Sequence, residues 1–438
     1  MSDWTQWTAS LSPSWTATPL KAIAAYSVSS VDKIPVDGEL PIRLCNYTDV
    51  YYHEYIHAGL DFTTSTATND EAKKFHLRVD DVIITKDSES WDDIAVPALV
   101  TETAEDLVCG YHLAILRPSG GRLLGRFLFR CLQARPIRIQ LELAASTGVT
   151  RFGLPISQIG RLLLPVPPIE QQGAIADFLD RETAKVDDLI ARKVLLIERL
   201  KEIRRSTISR LATMGTCDAV ATKDSGVPCI GQIPNHWQLL RNKNILREID
   251  DRSSDGTEEL LTVSHITGVS PRRENQQVTM FMAESNEGYK RCLPDDIVIN
   301  TMWAWMGALG VSIYAGLVSP AYNVYRFKQK AVPWYFHHLF RSPQYVAEIG
   351  RYSRGVWTSR LRLYPEEFLN MTSPVPPLDE QSKIASLIDD QNKAASKESE
   401  IITAAISLLR EYRSALISAA VTGQLDLRQH ETQLEALA

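Results

Sequence analysis

PVPPIEQQGAIADFLD at 165–180 and PVPPLDEQSKIASLID at 374–389 are one motif written twice, 209 positions apart in a chain of 438 residues. After the first copy, apolar residues recur on a 4-3 spacing at Ile175, Leu179, Val186, Leu189, Leu196, Leu200 and Ile203. After the second they recur at Ile384, Ile388, Ala395, Ile402, Ala405, Leu409, Tyr412 and Leu416. A period near 3.5 confines the apolar side chains to one narrow seam on a helix. The ends agree with that reading. Pro168 and Pro377 suit a first turn, where a missing N–H costs nothing. Glu170, Asp379 and Glu380 favour the positive end of the helix dipole, and Gly215 and Gly423 suit the left-handed residue that stops a helix. Each predicted helix is about 40 residues, or roughly 60 Å.

Weaker echoes precede each helix. LRVDDVIITKD (77–87) pairs with LPDDIVINTMW (293–303), LVCGYHLAILRP (107–118) with LVSPAYNVYRFK (317–328), and STGVTRFGL (146–154) with SRGVWTSRLRL (353–363). The elements keep their order, so the chain reads as a duplicated domain-plus-helix unit. Short β-rich runs such as DVIIT and DIVIN mix with helical stretches such as GRFLFRCLQ, which predicts α+β domains. The expected layout is a first domain at 10–164, a first helix at 165–216, a linker at 217–234, a second domain at 235–373, a second helix at 374–425 and a tail at 426–438.

Composition limits the function. No run of 18 apolar residues exists, so no membrane span is expected. MSDWTQWTAS has no basic region followed by an apolar stretch, unlike a secretory signal. Six cysteines without a CxxC pair point to a reducing cytoplasm rather than a disulfide framework. No Walker A loop, Gly-rich cofactor turn or methyltransferase-type Asp/Asn-Pro-Pro-aromatic run is present, so neither catalysis nor a cofactor is expected. Net charge is −6, but its distribution is uneven. Residues 114–161 hold eight arginines and one acid, and 326–362 hold eight Lys/Arg and one acid. Recurrence at matching places suggests phosphate contact.

Taken together, the motifs resemble the specificity subunit of type I restriction–modification systems. The carrying residues are the repeated PVPP-x-x-x-Q, the helix ends RSTISRLATMG and RSALISAAVTGQLD, and GVPCIGQIPNHW, which looks like that family's G-x-I-P-x-x-W opening. SLSPSWTATPL, at the head of the first half, lacks the G-x-I-P part. The resemblance implies two tandem α/β target-recognition domains separated by two long helices that form an antiparallel coiled coil. It implies a non-catalytic subunit that reads a bipartite site in double-stranded DNA. Two methyltransferase subunits and two ATP-dependent restriction subunits would be its partners.

Base readout needs paired donors and acceptors. In the first domain the loop after DVIIT supplies Lys86, Asp87 and Ser88. In the second its counterpart supplies Asn300, Trp303 and Trp305, although NTMWAWMGALG also reads as core. Arg151 and Arg360 occupy matching positions suited to a phosphate clamp, with Lys328 and Arg354 as further candidates. Tyr111 and Tyr322 read as a matched structural pair. Two rivals remain. His53-Glu54-Tyr-Ile-His57 is a literal H-E-x-x-H, which on a helix binds zinc, though its flanks read more like strand or turn. A coiled-coil adaptor without a DNA role is the other.

Overall fold

The computed structural model describes residues 6–9, 11–12, 14–147, 151–216, 220–274, 285–355 and 361–426. The predicted long helices are Ile169–Met214 and Leu378–Val421, of 46 and 44 residues. Pro168 and Pro377 stand one place before the first turn. There their carbonyls accept from Gln171 and Gln172, and from Gln381. Contacts divide the chain into two units, one of Met1–Lys193 with Thr403–Ala438, the other of Val194–Ile402. The first unit thus holds the beginning of the first long helix and the end of the second, linked where Arg413 meets Asp187 at 2.9 Å. The second holds the opposite portions, where Arg204 Nε donates to Asn392 Oδ1 at 2.7 Å.

The first unit is built on a five-stranded sheet in the order Ala24–Val28, Leu113–Pro118, Val82–Thr85, Pro97–Val100, Tyr55–Ile56. The second has a four-stranded sheet in the order Leu246–Ile249, Tyr322–Phe327, Ile297–Asn300, Leu309–Val311. The first four strands of the one correspond in order to those of the other. Val82–Thr85 and Ile297–Asn300 are wholly buried, as central strands covered on both faces should be. Helices Gly125–Gln133 and Arg135–Ala144 follow the first sheet, and Pro333–Arg341 and Pro343–Tyr352 follow the second. Their apolar faces build the main core of each unit. Ile175, Phe178 and Leu179 join one, and Ile384 and Ile388 the other.

Two polar devices recur. Gln172 is fully buried. Its Nε2 donates to the carbonyls of Pro167 and Arg122, both at 2.9 Å, and its Oε1 accepts from Leu124 N at 2.9 Å. Gln381, 3% exposed, repeats this with the carbonyl of Pro376 at 2.9 Å and the amide of Val332 at 3.0 Å. The repeated glutamine therefore ties the start of each long helix to its domain. Likewise Asp81 and Asp296, each 1% exposed, hold Arg117 and Arg326 through paired bonds of 2.7 Å. The residue before each adopts positive φ, 75° at Asp80 and 70° at Asp295, a conformation Asp tolerates better than most side chains.

The sheet register corrects one expectation. Leu113 faces Thr85, whereas Tyr322 faces Asn300 at the equivalent point of the second sheet. Tyr322 therefore corresponds to Leu113, not to Tyr111. Tyr111 lies on the preceding turn and is 52% exposed, so the structural role expected for it is not supported by burial.

Candidate nucleic-acid interface

Strand Val82–Thr85 delivers Lys86, Asp87 and Ser88 to one end of the first sheet. Asp87–Ser88 continues as a short strand against Phe152–Gly153. Lys86 Nζ binds both oxygens of Asp87, at 2.6 and 2.7 Å, and His112 Nδ1 binds the same carboxylate. Ser88 is only 5% exposed. These three residues thus form a partly buried frame rather than a free loop. Around it lies a cleft of about 450 Å³ lined by Lys33, Tyr47, Tyr111, His112 and Arg151, among others. Burial raises the Tyr47 phenol above its usual range, while a hydrogen bond to Ser88 and the charge of Arg151 draw it back. Arg151 itself is half exposed and stands 4.0 Å from Glu89, a loose surface pair that leaves its guanidinium accessible.

At the corresponding end of the second sheet Asn300 is 5% exposed, and its Nδ2 donates to Val263 O at 3.3 Å and to Tyr322 Oη at 3.0 Å. Its Oδ1 accepts from Met302 N, so the side chain shapes the turn. Trp303 is 48% exposed and lies near-parallel to Trp305, the ring centroids 6.4 Å apart. The core alternative for NTMWAWMGALG fails at Trp303, because the turn Ala304–Met306 lifts that ring out of the sheet. Trp305 Nε1 donates to Met302 O at 3.1 Å. Lys328 is exposed and donates to Lys243 O, and Arg354 is exposed but paired with Glu367. Arg360 lies outside the described residues.

Several cations of the matched basic stretches are engaged by partners within the protein, though among the described residues most of them remain exposed. Arg130 is 1% exposed and binds Asp180 at 2.7 Å; Arg126 binds Asp177 and Asp180; Arg117 binds Asp81. Arg138 donates to the carbonyls of Ile94 and Ala95. In the second half Arg326 binds Asp296, Arg351 binds Glu348, and Arg341 donates to five carbonyls. Counting charge along the chain could not anticipate this, since the acids sit up to 54 positions away. His112 and Tyr47 went unrecognised for the same reason: they join the cleft only through the fold.

The H-E-x-x-H reading fails on geometry. Helix Tyr47–Tyr52 ends before the motif, His53 is its C-terminal cap with φ −125°, and Tyr55–Ile56 is a strand. On extended chain, residues four apart lie roughly 13 Å from each other, too far for both imidazoles to reach one ion. Glu54 instead accepts from Arg413 at 2.7 Å.

No protein-family model matches the chain. It is similar to a putative type I restriction enzyme MjaX specificity subunit of Methanocaldococcus jannaschii, 21% identical over 350 residues, covering 76% of this chain and 77% of that protein. It is also similar to the type I restriction enzyme EcoBI specificity subunit of Escherichia coli, 22% identical over 307 residues, covering 64% and 62% respectively. Among solved structures, a chain from work on complex assembly and conformational transition of the type I R-M system matches at TM-score 0.68 and 15% identity, covering 95% of this chain and 99% of that one. The HsdS subunit from Thermoanaerobacter tengcongensis matches at TM-score 0.53 and 15% identity, covering 95% and 98%. The α+β fold with two long helices, and the resemblance read from the repeated motif, are thus shared with these chains. Among the described residues no helix is long and apolar enough to cross a membrane.

Proposed function

We propose that the chain is the non-catalytic DNA-recognition subunit of a type I restriction–modification complex and acts in the cytoplasm. Each domain reads one part of a bipartite target in duplex DNA, and the long helices set the gap between the parts. Adenine methylation and ATP-dependent cleavage belong to two methyltransferase and two restriction subunits. The observation that carries this reading is the recurrence, in two sheets that share the order of four strands, of an exposed site at the same strand end. One presents Tyr111 and Arg151 around the frame of Lys86, Asp87 and Ser88. The other presents Trp303 and Trp305 above Asn300. Arginine on phosphate and aromatic side chains against bases are the means such surfaces use. Two weak sites on one chain combine through effective concentration.

The test is a mobility-shift titration of the chain with its methyltransferase subunit on randomised duplexes. Selection of a split motif is expected. Equal retention of all sequences, or of none, would leave the adaptor reading standing.

A further inference from the structure

The first unit contains a filled socket. In the cleft between helix Gly125–Gln133 and the second long helix, Glu54 Oε1 accepts from Arg413 Nη2 at 2.7 Å and from Gln133 Nε2 at 3.1 Å. The repeat supplies the same socket in the second unit. Arg204 stands 209 positions before Arg413, and Arg341 stands 208 after Gln133. The cleft there measures about 650 Å³, and Lys201, Arg204, Arg205, His337, Arg341 and Asn392 are among its lining residues, with no Asp or Glu.

No carboxylate replaces Glu54, because the strand Tyr55–Ile56 that delivers it has no counterpart in the four-stranded sheet. The turn between Leu261–Ser264 and Gly268–Pro271 occupies the cleft wall instead, and its carbonyls absorb Arg341. Arg204 commits only Nε, to Asn392, and Arg205 has no acidic partner among the described residues. Lys201 holds Glu198 in an exposed pair. Burial keeps the His337 and His338 imidazoles neutral, so the positive charge here comes from Lys201, Arg204 and Arg205 of the long helix together with the carbonyl-bound Arg341.

We propose that this cleft is a docking socket for a carboxylate side chain of a partner protein, taking the place that Glu54 fills in the first unit. The occupant to which we commit is an acidic residue of the methyltransferase subunit, so the inference rests on the functional reading above. The filled socket favours a carboxylate over a DNA phosphate, since the same arginine position already binds one.

The experiment has two arms. In the first, the full chain carrying Arg204→Glu and Arg205→Glu is titrated with its methyltransferase subunit and, separately, with duplex DNA. At least tenfold weaker subunit binding is expected, with the salt slope of DNA binding unchanged. Subunit binding equal to that of the unaltered chain overturns the proposal. So does intact subunit binding with a shallower DNA salt slope, which would assign the cleft to phosphate. In the second arm, Ile266→Glu supplies a carboxylate from within the cleft of the chain alone. A rise in Tm that vanishes when Arg204→Met is added is expected; no such coupling overturns the socket. If the unaltered chain binds no methyltransferase subunit, the functional reading falls, and the second arm alone decides whether a carboxylate socket exists.

Discussion

Trp15 rests on the glycine that ends the second long helix: a Cβ on Gly423 would lie 3.3 Å from the Trp15 ring. In the second unit Trp237 stands in the same relation to Gly215, at 3.1 Å. The tryptophan that opens each half therefore packs on the helix end of the other half. Both glycines have positive φ, 76° at Gly215 and 74° at Gly423. Gly215→Ala and Gly423→Ala are each expected to cost about 1–2 kcal/mol from backbone strain alone, with further loss where the Trp cannot yield. Urea unfolding measures it; a neutral result would mean that the helix ends do not fix the domains.

The buried glutamines offer a second prediction. Gln172→Ala strands one amide and two carbonyls in a dry site, at about 1–3 kcal/mol for each unmet group. Gln381→Ala leaves one amide and one carbonyl unmet, so it should cost less. Equal melts for both variants and the unaltered chain would remove the glutamine from the account.

Acid should weaken the second unit. Burial pushes the His338 imidazole down to about 4 from its ordinary 6.5, with Asp389 opposing the shift. His337 is displaced the same way by burial and by its neighbours His338 and Arg341. Below pH 6.5 the unfolded chain takes up protons that the folded chain refuses. Stability is thus full above 6.5 and falls as pH drops towards 4, by up to about 1.4 kcal/mol per pH unit for each imidazole. His338→Phe should remove about one proton from that slope, read from denaturant melts between pH 7 and 4.5. An unchanged slope would contradict the burial argument.

At the proposed interface the expected effects differ in kind. Arg151→Ala should weaken binding to all duplexes alike and reduce the salt slope by about 1. Trp303→Ala should lose about 1–3 kcal/mol if its ring meets a base, with little change in salt slope. Titration at several salt concentrations separates the two; the reverse pattern would exchange their roles.

The long helices and the order of elements were legible because both rest on local periodicity and on repetition. The apolar seam shows within each segment, and the second copy checks the first. What was not legible depends on residues brought together from afar. Arg130 reads as surface charge until Asp180 lies beside it, 50 positions on. His53 and His57 match a zinc motif by letter, but their flanks already read as strand or turn, and the helix before them stops at Tyr52. Tyr111 and Tyr322 looked equivalent because each is a tyrosine near the start of the same echo, whereas hydrogen-bond register sets Tyr322 against Asn300, the place of Leu113 in the first sheet. At the candidate interface the strand ends were readable, but the Asp87–His112 contact was not.

The adenine-methylation map of cells carrying this chain with its methyltransferase subunit tests the central claim most directly. Two specific base clusters separated by a fixed run of unspecified bases are predicted, disappearing when the chain is deleted. A contiguous motif, or methylation that persists unchanged without the chain, would contradict it.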